Sequence, residues 1–93
     1  MNVALVEMEF LIPGARSLKD KRRVMKSIKE RLRSRFNCSV AEVDLQEKWG
    51  RARLAACVVA SEASHASEQI DAIVRFAEGH HEAEMVHAEI EII

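Results

Sequence analysis

Between Val3 and Ile12 the apolar residues Ala4, Val6, Met8, Phe10 and Ile12 recur at every second position, while Glu7 and Glu9 take the opposite parity. This is the period of a strand with one covered face. Pro13-Gly14-Ala15-Arg16 breaks the pattern, and Ser17 with Asp20 three residues later forms a capping-box variant that predicts a helix start. Leu18, Val24, Met25, Ile28, Leu32 and Phe36 then fall within an arc of about 120° on a helical wheel, so the helix is expected to run to about Phe36. Asn37 is expected to close it in the left-handed region.

Ser39–Asp44 reads as a second strand, and Glu47–Arg51 as a turn-like connection. Ala52–Ala60 is richer in small and branched apolar residues, which predicts a more central strand paired with Ser39–Asp44 in an antiparallel hairpin. Ser61–Ser64 opens a second helix whose inner face is Ala66, Ile70, Ile73, Val74 and Ala77, with Gly79 as the stop. Met85–Ile93 alternates again, with Val86, Ala88, Ile90 and Ile92 on one face and His87, Glu89 and Glu91 on the other. The order β-α-β-β-α-β within one domain, residues 1–93, predicts an α+β, ferredoxin-like sandwich: a four-stranded antiparallel sheet with two helices on one face. In that arrangement the first strand lies between the third and the last.

Composition narrows the class. At 48% hydrophobic and 31% charged residues over 93 positions, with three Gly and one Pro, the chain is too apolar for a disordered segment and suits one compact core. The longest apolar run, Leu54–Ala60, spans seven residues against the roughly 18 a membrane helix needs, and no basic segment opens the chain, so neither a membrane span nor an export signal is expected. Cys38 and Cys57 match no CxxC or zinc spacing. So sparse a cysteine content suits a reducing cytoplasm, with both thiols expected as buried small hydrophobes.

Charge supplies the sharper feature. Arg16–Arg35 holds ten cations against the two carboxylates Asp20 and Glu30, a net of +8, whereas the remainder holds four against thirteen, a net of −9. On the first helix Lys29, Arg22, Arg33, Lys26, Lys19 and Arg23 lie at about 20°, 40°, 60°, 80°, 100° and 140° from Leu18, one stripe of cations that Glu30 alone interrupts. Like charges at i,i+3 and i,i+4 cost a few tenths of a kcal/mol per pair, and a face selected for solubility alone would more often mix signs. The stripe is therefore read as a surface for phosphates or for an acidic partner.

The stretches Ile12-Pro13-Gly14-Ala15-Arg16-Ser17-Leu18-Lys19-Asp20-Lys21-Arg22-Arg23-Val24 and Arg35-Phe36-Asn37-Cys38-Ser39-Val40-Ala41-Glu42-Val43-Asp44, with Trp49, closely resemble the YlxP-like family of small bacterial proteins of unassigned function. The resemblance covers nearly the whole chain. It departs at Cys38, where Val is usual, and over His80–Glu84. It implies a ferredoxin-like fold and a gene that often sits among translation and ribosome-assembly genes, and it implies no catalytic residues.

The other constellations have bland readings. Pro13–Ser17 is a capping turn. Glu7, Glu9, Glu89 and Glu91 are expected to pair across strands with Arg51 and Arg53 rather than to bind a metal. His80-His81-Glu82, with Glu84 and His87, has no zinc-binding spacing and reads as a solvated loop. Trp49, between Lys48 and Arg51, is placed either to stack on a base or to cover the end of the core. Val3, Leu5 and Leu11 on the open sheet face predict a homodimer formed through that face or through the edge strands. No nucleophile elbow, Walker-type phosphate loop or HExxH occurs.

The reading is a cytoplasmic, non-catalytic module with no cofactor, no metal and no identifiable small-molecule substrate. It is expected to contact RNA or the ribosome through Arg16, Lys19, Arg22, Arg23, Lys26, Lys29 and Arg33, with Trp49 and Arg51 as a second contact. The alternative is a dimeric regulatory module whose basic helix docks an acidic protein.

Overall fold

Strand periodicity and helical periodicity are realised in the expected order. The computed structural model describes residues 1–93 as β1 (Asn2–Leu11), α1 (Leu18–Arg35), β2 (Ser39–Asp44), β3 (Arg51–Ala60), α2 (Ala63–Glu78) and β4 (Glu84–Ile92). The strands form one antiparallel sheet in the order β2-β3-β1-β4, the ferredoxin-like arrangement. Each helix joins two strands that run parallel with a third between them, so both crossovers return over the same face. α2 packs over β1, β3 and β4, and α1 lies toward β2.

The core lies between that face and the helices. Ala4, Val6, Met8, Phe10 and Ile12 are buried from β1 and its exit, Ala52, Leu54, Ala56 and Val58 from β3, and Val24, Met25, Ile28, Leu32, Ile70 and Ile73 from the helices. Register explains why β1 and β3 bury the same parity: Val6 pairs with Ala56, Met8 with Leu54 and Phe10 with Ala52. Val6 and Phe10 thus each face an alanine across the ladder, which leaves room for the helices above, while Met8 and Leu54 fill the middle together.

Local signals act at both ends of α1. Ser17 Oγ accepts from the Asp20 N–H at 3.1 Å, and Asp20 Oδ2 accepts from the Arg16 N–H at 3.0 Å, a reciprocal cap shifted by one residue from the standard box. The exit differs from expectation. Phe36 ends the helix in extended conformation, φ −128° and ψ 147°, and its N–H still donates to the Leu32 carbonyl. Asn37 does not enter the left-handed region; the residue that does is Leu45, at φ 63° in the loop between β2 and β3.

β4 departs from simple alternation. His87 pairs with Glu9 but Met85 pairs with Phe10, so Val86 is an inserted bulge residue and Met85 is the one that packs on the core. Ile90 and Ile92 stand opposite Val6 and Ala4 on the helix side of the sheet, as expected. They are nevertheless 46% and 44% exposed, because β4 is an edge strand that the helices reach but do not cover. No helix is long and apolar enough to cross a membrane.

Candidate nucleic-acid interface

α1 sorts its cations into three environments. Lys21 is fully buried at 1% exposure: its ammonium donates to the carbonyls of Leu45 and Lys48 and stands 2.9 Å from Glu42 Oε2. Arg31 and Arg35 flank the side toward α2, where the Arg35 guanidinium lies 4.9 Å from the centre of the Phe76 ring. The remaining cations form the outward face.

Within that face the structure separates free groups from engaged ones. Lys19, Arg22 and Lys26 are exposed and Lys29 is half-buried. Among these four only Lys26 approaches a carboxylate, Glu30, at 4.0 Å. Arg23 forks onto Glu82 with contacts of 3.2 and 2.8 Å, which holds the Glu82 carboxyl below its ordinary range. Arg33 donates to the Val40 carbonyl at 2.8 Å and so fixes the end of α1 to β2. Arg16 lies exposed in the entry loop, its backbone N–H in the cap.

Trp49 is 52% exposed, so it does not close the core. The Lys21 anchor holds the loop that carries it against the first turns of α1. Trp49 lines a shallow depression with Leu11, Ala15, Lys48 and Arg51. Arg51 is not brought to the α1 face: it turns to the open face of the sheet and meets Glu9 at 2.7 Å, beside Arg53 at 2.8 Å. Both arginines hold the Glu9 carboxyl below its ordinary range, chiefly through the hydrogen bond from Arg53. The predicted cross-strand pairing is thus present at Glu9.

Two residues were missed from sequence. Lys21 sits at about 300° on the wheel, inside the apolar arc, and that position was the available signal for burial. His80, expected in a solvated loop, is 8% exposed. Its Nδ1 accepts from the Glu82 N–H at 3.2 Å, which leaves the neutral ring's Nε2–H to face Ser27 Oγ at 3.3 Å. Burial, with His81 and Arg31 nearby, pushes its pKa down. Its neighbour His81 is exposed and stacks on it at 5.2 Å. No group of three or more His, Cys, Asp or Glu side chains converges as a metal site.

The cysteines also differ from expectation. Both are free and only half-buried. Cys38 packs toward α1, with Sγ 3.8 Å from the Leu32 carbonyl, while Cys57 shares the open-face parity of Leu5 and Ser39, so the two thiols lie on opposite sides of the sheet.

This surface belongs to a chain whose residues 3–90 match the family described as "Protein of unknown function (DUF503)". The chain belongs to that family. It is 30% identical over 82 residues to the "Uncharacterized protein YlxP" of Bacillus subtilis (strain 168), which covers 88% of this chain and 89% of that protein. The YlxP-like resemblance is therefore borne out. Among solved structures, the "De novo designed protein Ferredog-Diesel" is similar at 17% identity and a TM-score of 0.46, over 98% of this chain and 83% of that one.

Proposed function

We propose that this DUF503 protein is a non-catalytic, cytoplasmic module that binds structured RNA, free or on the ribosome, through the outward face of α1. One observation carries the reading: Lys19, Arg22, Lys26 and Lys29 share one helix face and none is held by a close internal ion pair. Clustered like charges are unfavourable within the isolated protein and become favourable when polyanion phosphates lie over them. The spacing supports a backbone-tracking mode rather than base readout. Trp49, on the loop fastened to the same helix by Lys21, offers a flat stacking group next to Lys48 and Arg51. Arg23 and Arg33 add field rather than contacts, because Glu82 and the Val40 carbonyl hold them in place.

The test is salt-dependent binding of ribosomal RNA fragments followed by fluorescence anisotropy. Four engaged cations give a slope of log affinity against log salt of about −3, at roughly −0.7 to −0.9 per phosphate. The triple variant Lys19→Gln/Arg22→Gln/Lys26→Gln reduces that slope by about 2 to 3 units while melting as the parent does. Unchanged affinity and slope in a folded triple variant would make the stripe a solvated face. Nuclease-resistant capture of a single acidic protein that the same variant abolishes would transfer the surface to protein docking.

A further inference from the structure

The two edges of the sheet are treated differently. At the β2 edge the outward carbonyls are occupied by the chain's own side chains: Arg33 donates to the Val40 carbonyl at 2.8 Å and Gln46 to the Glu42 carbonyl at 3.4 Å. A register shift between Glu42 and Asp44 further disrupts that edge. β4 has a bulge of its own at Val86, but from His87 to Ile92 its ladder is regular and no side chain of the chain occupies its outward carbonyls. Val3 and Ile93 exchange N–H···O bonds at 3.3 and 2.7 Å, so the alternation of an antiparallel ladder turns His87, Glu89 and Glu91 toward β1 and leaves the N–H and C=O groups of Ala88, Ile90 and Ile92 facing outward. No side chain bonds to these groups. The half-exposed side chains of Ile90 and Ile92 add open apolar surface to the same strand.

We infer that β4 is where two copies of this chain join, edge to edge and antiparallel, into one eight-stranded sheet. The charge pattern favours a second copy and, with the cross-strand pairs it allows, selects one register. A two-fold centred on Glu89 sets that carboxylate against itself, one on Ile90 sets Glu89 against Glu91 twice, and one on Glu91 again opposes identical carboxylates. Two-folds on His87, Ala88 and Ile92 oppose no carboxylates, and of these the one on Ala88 alone sets an imidazole against a carboxylate across the seam. The two-fold on Ala88 places His87 against Glu89 of the second copy and Val86 against Ile90 of the second copy, each pair twice, with the Ala88 N–H and C=O groups bonded reciprocally at the centre. α1 lies toward β2, at the opposite edge, so the pairing leaves both basic faces open and stands independently of the RNA reading.

Light scattering coupled to size exclusion at micromolar concentration is expected to report about twice the 10.5 kDa chain mass. Ala88→Pro removes an outward N–H and no bond to β1, and Ile90→Lys places charge in the seam; both are expected to be monomers with the parent's circular dichroism. Val59→Lys, on the open face, is expected to remain a dimer. If Ala88→Pro does not fold, cross-linking decides. In a Cys38→Ser/Cys57→Ala background Ala88→Cys forms an intermolecular disulfide, since paired Cα atoms lie about 5.5 Å apart, and Ile92→Cys does not. A parent that stays monomeric, or a dimer dissociated by Val59→Lys and not by Ile90→Lys, overturns the inference. So does failure of Ala88→Cys to cross-link.

Discussion

The Lys21 ammonium and the Glu42 carboxylate lie 2.9 Å apart beneath the β2–β3 loop, and this pair joins the basic helix to the sheet. The Lys21 protons are directed at the Leu45 and Lys48 carbonyls, and the left-handed conformation of Leu45 accompanies that fastening. Removing the cation leaves a largely desolvated carboxylate and two carbonyls without their partner. Lys21→Met is therefore expected to cost about 3 kcal/mol, read by urea denaturation. Lys21→Met/Glu42→Leu should recover part of that loss, because no uncompensated charge is left. Equal stability of the single variant and the parent would mean the pair contributes nothing to the fold.

His80 gives the fold a pH response near neutrality. Its pKa lies below the ordinary 6.5 in the folded chain, so the unfolded chain binds more protons as pH falls past that value. The stability it contributes is complete above pH 6.5 and is lost as pH falls from there toward the folded pKa. The melting temperature should accordingly decline between pH 7 and pH 5, and His80→Gln should flatten that limb while lowering stability at pH 7.5, because Ser27 and the Glu82 N–H lose the ring. An unaltered limb in a folded His80→Gln variant would assign the decline to other groups.

These two sites mark where the sequence stopped being legible. The periodicities of Val3–Ile12, the first helix and Ala52–Ala60 each bury one face, and burial follows period closely when a whole element contributes. Lys21 was harder because charge argues for solvent while its wheel position argues for the core, and the decision rests on a carboxylate and two carbonyls from a distant hairpin. His80 is buried by helix packing that no local pattern announces. Ile90 and Ile92 fail in the opposite sense: alternation identifies their side of the sheet but not whether a helix extends far enough to cover an edge strand. The cationic stripe was readable as a surface, whereas the separation of Lys19, Arg22 and Lys26 from Arg23 and Arg33 depends on Glu82 and Val40, partners remote in sequence.

A second pH window lies lower. Glu9 is held below its ordinary 4.5 by Arg53 and Arg51, and Glu82 by Arg23. Lowered carboxyl pKa values contribute stability that is present above pH 4.5 and lost as pH falls below it. Glu9→Gln should reduce stability at pH 7 and shrink the further loss between pH 4.5 and pH 2.5, with chemical denaturation at fixed pH as the measurement. Parallel pH profiles for variant and parent would show that the two arginines add nothing there.

The thiols supply the last test. Burial raises the Cys38 pKa, with nearby Arg33 opposing and Cys57 adding to the shift. Less thiolate is then present near pH 8, and alkylation of Cys38 should be slower in the folded Cys57→Ser variant than in the same chain under denaturant. Because Cys38 faces α1 and Cys57 the open side of the sheet, no disulfide can close between them without moving a strand. Reductant should leave the melting temperature unchanged, and intact-mass analysis of freshly purified protein should show two free thiols. A melting temperature that drops on reduction would require a bridge that this sheet register forbids, and would place Ser39–Asp44 in a different pairing with Arg51–Ala60.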